Sequence, residues 1–298
     1  MPKVSIVILN YNTFALTSNC IRSVISATKG IIFEIILVDN ASSECNPDQF
    51  LTEFPSVKLV KSDTNGGFAY GNNLGIQKAT GEYILLLNSD TLLQEDSVSL
   101  SVQYMEGQAG AGVLGCRMVY PGGKIQYSAR KFRSISWELL DLFRFIPFLM
   151  PYATRSKRML GKYFRHDENM ACDWVNGAFF LFPRKMLEQL PGQQLDDHFF
   201  MYGEDQLWCE QIKNLGYHIL FYSGTTIIHI NSGSTSLERQ LNLRDTMMKH
   251  ELIIMKLRKG QSLYYFLFEM IYVLKEGTRN FIKRIYFRLT GRLLLWTG

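Results

Sequence analysis

The sequence predicts an α/β protein in which a mostly parallel central sheet is flanked by helices and followed by a C-terminal helical extension. Two observations carry that expectation. In the first half, short apolar runs alternate with longer amphipathic ones, the strand–helix alternation that builds parallel sheets covered by helices. The polar groups Asn10-Tyr11-Asn12, Asp39-Asn40 and Asn88-Ser89-Asp90 each follow such an apolar run. They therefore fall at strand ends, where open α/β sheets bind ligands.

Residues 4–9, 31–38, 57–60 and 83–87 read as strands, with helices over 16–27 and 68–79. Residues 113–119 and 124–128 flank Tyr120-Pro121-Gly122-Gly123, a strand pair joined by a Pro-Gly turn. The chain then mixes Arg and Lys with Trp137, Phe143, Phe145 and Phe148, broken by Pro147 and Pro151, which reads as a partly helical flap inserted at 132–165. Residues 172–182 return to the sheet, 204–215 have helical spacing stopped by Gly216, and 217–222 and 225–230 suggest two final strands. Beyond Ser234 the pattern is helical. The expected organisation is one domain over 1–235 that carries the flap, and a basic amphipathic extension over 236–298.

A chain of 298 residues with 47% hydrophobic content can bury a large core, and a formal charge of +5 does not by itself predict nucleic-acid binding. Its five cysteines are scattered, with no Cys-x-x-Cys pair, and read as reduced core thiols. The N-terminus enters a strand without signal-peptide features, and no apolar stretch approaches the ~20 residues of a spanning helix. These features point to a cytoplasmic protein, with attachment to the inner face of a membrane left open.

Several groups carry chemistry. Asp39 serves equally an Asx-turn or a hydrogen bond to a base or ribose. The stretch from Asn65 through Gly67 and Asn73 to Gly75 places glycines at a strand-to-helix passage, where backbone N–H groups can approach a phosphate or sugar. It is neither Gly-x-Gly-x-x-Gly nor a P-loop, which disfavours a dehydrogenase or a P-loop NTPase. Glu204-Asp205 sets two carboxylates at a helix start, whose positive end is expected to stabilise their ionised form. His229, at a strand end, is usually structural, but with Asp90 it completes a set of hard-cation ligands when phosphate oxygens join them.

Taken together and in order, these segments resemble the family 2 glycosyltransferases, nucleotide-sugar-dependent inverting enzymes of the GT-A fold. The matching pieces are residues 4–12, Ile36-Leu37-Val38-Asp39-Asn40-Ala41-Ser42, the 65–75 loop, Leu86-Leu87-Asn88-Ser89-Asp90, Trp174-Val175-Asn176-Gly177-Ala178, Gly203-Glu204-Asp205 and His229. The resemblance implies that Asp39 binds the base, with Asn10 and Tyr11 beside it. Asn65, Gly67 and Asn73 would line the nucleotide and donor sugar. Asp90 matches the last carboxylate of the family's Asp-x-Asp motif, which holds Mg²⁺ or Mn²⁺ on the diphosphate. Asn88 replaces the first carboxylate, as in the rhamnosyltransferase-like branch, which makes His229 the more valuable second ligand. Asp205 matches the catalytic base, with Glu204 in support, and Trp174, Asn176 and Gly177 match the sugar and acceptor pocket.

The implied partners are a dTDP- or UDP-sugar donor and a glycan or lipid-diphosphate-linked acceptor, as in bacterial cell-surface polysaccharide synthesis. Basic residues interleaved with aromatics over 256–298 suggest peripheral membrane contact or packing on a second subunit. The rival class is a non-catalytic nucleotide-sugar- or carbohydrate-binding module, to which Asn88 gives weight. A nucleotidyltransferase would need a basic glycine-rich loop after the first strand, which Asn10-Tyr11-Asn12-Thr13 does not supply. Nucleic-acid binding rests only on the basic tail.

Overall fold

The computed structural model describes residues 1–230 and 237–290, the side chains of 237–241 excepted. The expected boundary at 235–236, and the tail beyond 290 with Arg292 and Trp296, lie outside the described residues. The chain begins with strand β1 (Val4–Asn10), helix α1 (Phe14–Ala27), β2 (Phe33–Asp39), α2 (Gln49–Glu53), β3 (Lys58–Lys61), α3 (Phe68–Ile76) and β4 (Tyr83–Asn88). It continues through β5 (Thr91–Leu93), α4 (Ser97–Glu106), β6 (Ala111–Val119), β7 (Ile125–Gln126), β8 (Ala129–Arg130), α5 (Ile135–Leu142), α6 (Phe145–Leu149) and α7 (Tyr152–Met159). The last elements are β9 (Met170–Cys172), β10 (Trp174–Val175), β11 (Phe179–Pro183), α8 (Glu204–Asn214), β12 (His218–His229), α9 (Leu237–Lys259) and α10 (Leu263–Thr290).

The described residues divide into two compact units, 1–130 with 165–230, and 131–164 with 237–290. The first unit holds the large sheet, in the order β3-β2-β1-β4-β11-β6-β12-β5, with β7 beside β6 and β9 beside β12. From β3 to β4 the strands are parallel; β11 runs antiparallel to both β4 and β6, and β12 returns parallel to β6. Because the chain moves outward from β1 through β2 and β3 and then resumes at β4 on the other side, β1 is the point where the strand order reverses. Ligands of open α/β sheets bind beside such a reversal.

The strands β1 and β4 are apolar at nearly every position because they are covered on both faces. Helix α3 lies close on the sheet because Gly75 and Gly71 face it. A Cβ at Gly75 would stand 2.4 Å from a Val7 methyl, and one at Gly71 would stand 2.4 Å from Leu9. The two strands expected over 217–222 and 225–230 are a single strand, β12, whose pairing with β6 shifts register between Tyr222 and Thr226. Ser223 and Gly224 mark a bulge in β12, and the sequence signal for a turn came from it. Four cysteines are buried, but Cys45 is only half-buried and lies outside the core.

In the second unit, α10 packs on α9 and α5. Tyr265, Phe268 and Tyr272 of α10 form a small apolar core with Met255, against which Ile135 packs.

One buried clamp ties α3 to the segment leading into α8. Asn73 Nδ2 donates to Leu195 O at 2.7 Å, and Leu195 N donates to Asn73 Oδ1 at 3.1 Å. Both halves of the amide are engaged, so the first task of Asn73, expected to line the donor, is to hold the scaffold. Asn73→Ala is expected to cost about 2 kcal/mol, since it strands a buried backbone N–H and C=O. Urea unfolding measures this, and an unchanged midpoint would refute the clamp.

Candidate functional site

The ends of β1, β2 and β4 bring the first group of expected residues together. Asn10 pairs with Asp39 in the β1–β2 register, and Asn88 lies beside Leu9. Asn10 Nδ2 donates to Asp39 Oδ1 at 2.8 Å, and Ser42 N donates to Asp39 Oδ2 at 3.1 Å. Thr13 and Thr17 hydroxyls donate to Asn10 Oδ1. Asp39 is buried, so its first task is to join two strand ends; each carboxylate oxygen still has a second lone pair. Tyr11 stands exposed on the same rim.

The 65–67 turn is fixed from the same rim by Asn40, a strand-end residue to which the sequence reading gave no role of its own. Asn40 Nδ2 donates to Asn65 Oδ1 at 2.8 Å and to Gly67 O at 3.1 Å, while Gly67 N donates to Asn65 Oδ1 at 3.0 Å. Gly67 has φ 95°, and a Cβ there would stand 2.3 Å from Phe200 O. Only glycine allows that approach, which lets Phe68 N donate to Phe200 O at 2.8 Å.

The second group gathers around one turn at 176–178. Asn176 Oδ1 accepts from Ala178 N at 2.9 Å, and Gly177 N donates to Asp205 Oδ2 at 3.1 Å. Asn88 N donates to Ala178 O at 3.1 Å. The same turn therefore holds both the end of β4 and the start of α8. Trp174 lies under the Arg130 guanidinium, 5.2 Å from its ring centroid.

Burial overrides the helix dipole at Glu204 and Asp205. Glu204 is 7% exposed, and its Oε2 is buried with no hydrogen-bond partner. Burial, with the Asp205 charge adding, pushes its carboxyl up to about 8. Asp205 is also raised by burial, a shift that the N–H bonds from Gly177 and Gln206 oppose. The expectation that the helix end would favour two ionised carboxylates fails because desolvation outweighs it. The outcome is two adjacent carboxyls that both hold their protons more tightly than ordinary carboxylates do.

Asp90 and His229 do meet. His229 Nε2 lies 3.2 Å from Asp90 Oδ1 and 3.5 Å from Asn88 Nδ2. The residue that orients the imidazole, Gln126 on β7, was missed in the sequence. Its Nε2 donates to His229 O at 2.6 Å, which turns its Oε1 toward His229 Nδ1 at 2.8 Å. An amide oxygen can only accept, so Nδ1 carries the proton, and in the neutral ring the Nε2 lone pair faces Asp90. The buried Oδ1 of Asn88 has no hydrogen-bond partner in the same neighbourhood. A carboxylate, an imidazole lone pair and an orphaned amide oxygen suit a hard or borderline cation such as Mg²⁺ or Mn²⁺. Among the described residues no group of three or more His, Cys, Asp or Glu could hold a metal ion, so further ligands would have to come from a substrate. A separate cleft lined by Tyr83, Glu106, Arg184 and Tyr217 lies at the opposite ends of the strands, where β4 and β6 begin, and holds none of these residues.

Comparison with known proteins agrees with this geometry. The family model described as Glycosyl transferase family 2 matches residues 5–190. O-antigen biosynthesis protein RfbC of Myxococcus xanthus is 24% identical over 237 residues, covering 78% of this chain and 18% of that protein. Glycosyltransferase GlyG of Streptococcus pneumoniae is 30% identical over 115 residues, 38% of each chain. The chain thus spans well under half of these two relatives. N-acetylglucosaminyl-diphospho-decaprenol L-rhamnosyltransferase of Mycobacterium tuberculosis is 22% identical over 216 residues, 67% of each chain. Among solved structures, mannosyltransferase PcManGT from Pyrobaculum calidifontis, in complex with GDP-Man and Mn²⁺, has a TM-score of 0.60 at 15% identity, covering 98% of this chain and 76% of that one. S. aureus TarS in complex with UDP has a TM-score of 0.54 at 14% identity, covering 97% and 75%. At such identities the likeness shows the fold, a mixed α/β sheet flanked by helices.

The raised Glu204 carboxyl has a consequence for stability. It binds its proton more tightly in the folded chain than in the unfolded one, so folding stability falls as pH rises from about 4.5 through about 8. Glu204→Gln removes this titration. The variant is expected to melt higher than the parent near pH ~8.5 and alike near pH ~5; parallel melting curves at both values would refute the buried, protonated carboxyl.

Proposed function

Because the chain belongs to glycosyl transferase family 2, we propose that it moves a sugar, with inversion, from a nucleotide diphosphate donor to a hydroxyl of a glycan or lipid-linked acceptor in cell-surface polysaccharide synthesis. The observation that carries this reading is the 176–178 turn, which hangs the Asn88 end of β4 and the Asp205 carboxylate on the backbone of adjacent residues, Ala178 and Gly177. A general base and a diphosphate anchor must stand side by side for a single displacement, and this turn couples the elements that bear them.

In the proposed reaction the acceptor oxygen attacks the anomeric carbon, the bond from that carbon to the diphosphate oxygen breaks, and its electron pair leaves with the nucleoside diphosphate. Asp205 takes the acceptor proton. Burial raises its pKa above the ordinary carboxylate value, which strengthens it as a proton acceptor. Glu204, kept protonated by burial, spares Asp205 a second negative charge. Asn10, Tyr11 and Asp39 lie where the base of the nucleotide would rest, and the Asn65–Gly67 turn presents backbone groups to the ribose and donor sugar. Trp174, Asn176 and Gly177 shape the sugar and acceptor side. Asp90 and His229, with Asn88 Oδ1 beside them, would hold Mg²⁺ or Mn²⁺, which when bound supplies the positive charge that neutralises a departing diphosphate. The rhamnosyltransferase of M. tuberculosis supports a deoxyhexose donor such as a dTDP-sugar, and the UDP bound to TarS keeps a UDP-sugar in view. An acceptor carried on a lipid diphosphate would place the work at the cytoplasmic face of a membrane.

The direct test incubates the chain with a panel of nucleotide sugars and Mg²⁺ or Mn²⁺, and measures nucleoside diphosphate release. Silence with every donor, with and without lipid-linked acceptors, sinks the reading. Asp205→Asn is expected to lower turnover ~10²–10⁴-fold while donor binding persists, and near-parental turnover would place the base elsewhere. Gln126→Leu frees the imidazole to rotate and to change tautomer. It should weaken Mn²⁺ binding, read by electron paramagnetic resonance with nucleoside diphosphate present, by about 10–100-fold. Undiminished Mn²⁺ affinity would remove His229 from the ligand set.

A further inference from the structure

Helix α10 is built inside out. Phe266, Met270, Leu274, Phe281, Ile285 and Leu289 recur at helical spacing, and every one is exposed. The opposite face begins with Tyr265, Phe268 and Tyr272 and then turns Lys275, Asn280 and Lys283 inward. Adjacent residues show the inversion most sharply: Leu274 is 71% exposed and Lys275 is 4% exposed. Helix α5 repeats it, with Glu138 and Asp141 buried while Leu139 and Leu142 face out, and α6 continues the apolar surface through Phe145 and Phe148.

The inward charges are matched. Lys275 Nζ donates to Glu138 and, at 3.0 Å, to Asp141; Arg279 Nη1 donates to Asp141 at 2.8 Å, and Lys162 Nζ does so at 2.9 Å. Burial alone would raise the Asp141 carboxyl, but the surrounding cations hold it well below the usual range. An amphipathic helix in water puts its charges out and its apolar stripe in. The reverse arrangement, stabilised by internal ion pairs, leaves a continuous apolar face, and surfaces of that kind are covered by something apolar.

Charge identifies the cover. Residues 131–164 and 237–290 carry 18 Lys and Arg against 7 Asp and Glu, a formal +11, where the whole chain is +5. A second copy would set +11 against +11, whereas anionic headgroups neutralise it. Lys157 and Arg158 on α7, and Arg284 and Arg288 on α10, are exposed, with stems long enough to follow apolar groups down to a headgroup layer. From Phe266 to Leu289 the apolar stripe runs about 35 Å. Among the described residues no helix is long and apolar enough to cross a membrane, so the stripe suits a helix lying in the interface.

We propose that this unit docks on an anionic lipid surface by inserting the apolar faces of α5, α6 and α10 among the acyl chains. Not all of the basic residues that the sequence interleaves with aromatics over 256–298 reach the surface. Lys275, Arg279 and Lys283 point inward, and insertion rather than charge attraction carries most of the binding. The inference does not depend on the proposed sugar transfer.

The test co-sediments the full chain with vesicles of phosphatidylglycerol and phosphatidylcholine, and with phosphatidylcholine alone. Binding is expected to both, tighter to the anionic vesicles. Phe145→Ser with Phe148→Ser, and separately Leu274→Ser with Phe281→Ser, should each weaken partitioning at least about tenfold. The melting temperature should stay at the parental value, because these side chains are already exposed, and nucleoside diphosphate release with a water-soluble acceptor should be unchanged. Absence of vesicle binding overturns the proposal and leaves the proposed reaction standing. So does a lipid-free dimer, seen by sedimentation equilibrium, that the same substitutions dissociate.

Discussion

Removing charge from water is the costliest thing this chain does, and the position of every polar group at the sheet rim follows from how that cost is met. Of two neighbouring carboxyls at the start of α8, Glu204 is buried and Asp205 half-buried, and the backbone N–H groups of Gly177 and Gln206 are both given to Asp205. The turn at 176–178 supplies one of those N–H groups, and the same turn closes the end of β4 through Ala178 O. With Asp205 pinned there, Glu204 Oε2 is left without a donor, and burial holds the proton on Glu204. Burial raises both carboxyls, and backbone geometry decides which of the two receives the N–H groups that oppose the rise.

The same reasoning governs the Asp90–His229 contact. With Gln126 holding the proton on Nδ1, the imidazole presents a lone pair to a carboxylate across 3.2 Å. Two acceptors facing each other repel unless a proton or a cation lies between them. The local chemistry thus asks for positive charge at the point where Asn88 has lost the carboxylate that an Asp-x-Asp motif would offer. A long side chain from β7 compensates, because it fixes which nitrogen of the ring is available.

Strand ends were legible in the sequence because they follow from hydrophobic runs: Asn10, Asp39, Asn88 and Asp90 all sit where β1, β2 and β4 stop. Pairings that close over long stretches of chain were not. Gln126 lies 103 residues from His229, in a two-residue strand with no periodicity to detect. Asn73 carried the composition of a ligand-binding loop, yet its amide is satisfied by Leu195, 122 residues away. The helices α2 and α4 went unread, α2 being only five residues long. The bulge in β12 imitated a turn, because Ser-Gly gives the same local signal in either setting. The inversion of α10 was hidden for a different reason. An amphipathic pattern reports that a helix has two faces but does not say which one is buried, and the acids on α5 that decide this are more than 130 residues away.

The two units bury carboxyls to opposite effect, and the contrast separates reactive groups from structural ones. Asp141 is surrounded by Lys275, Arg279 and Lys162 and is held far on the ionised side; its environment leaves no reason for a proton to arrive at any ordinary pH. Glu204 and Asp205 are pushed the other way by burial, Glu204 up to about 8. An over-paired carboxyl serves as scaffold, since removing one partner leaves a buried charge unmatched. An under-paired one gains a partner only when something enters the site. In the proposed reaction an acceptor hydroxyl would bring one more hydrogen bond to Asp205, whose pKa burial raises, and so would meet a carboxylate with a strengthened affinity for its proton.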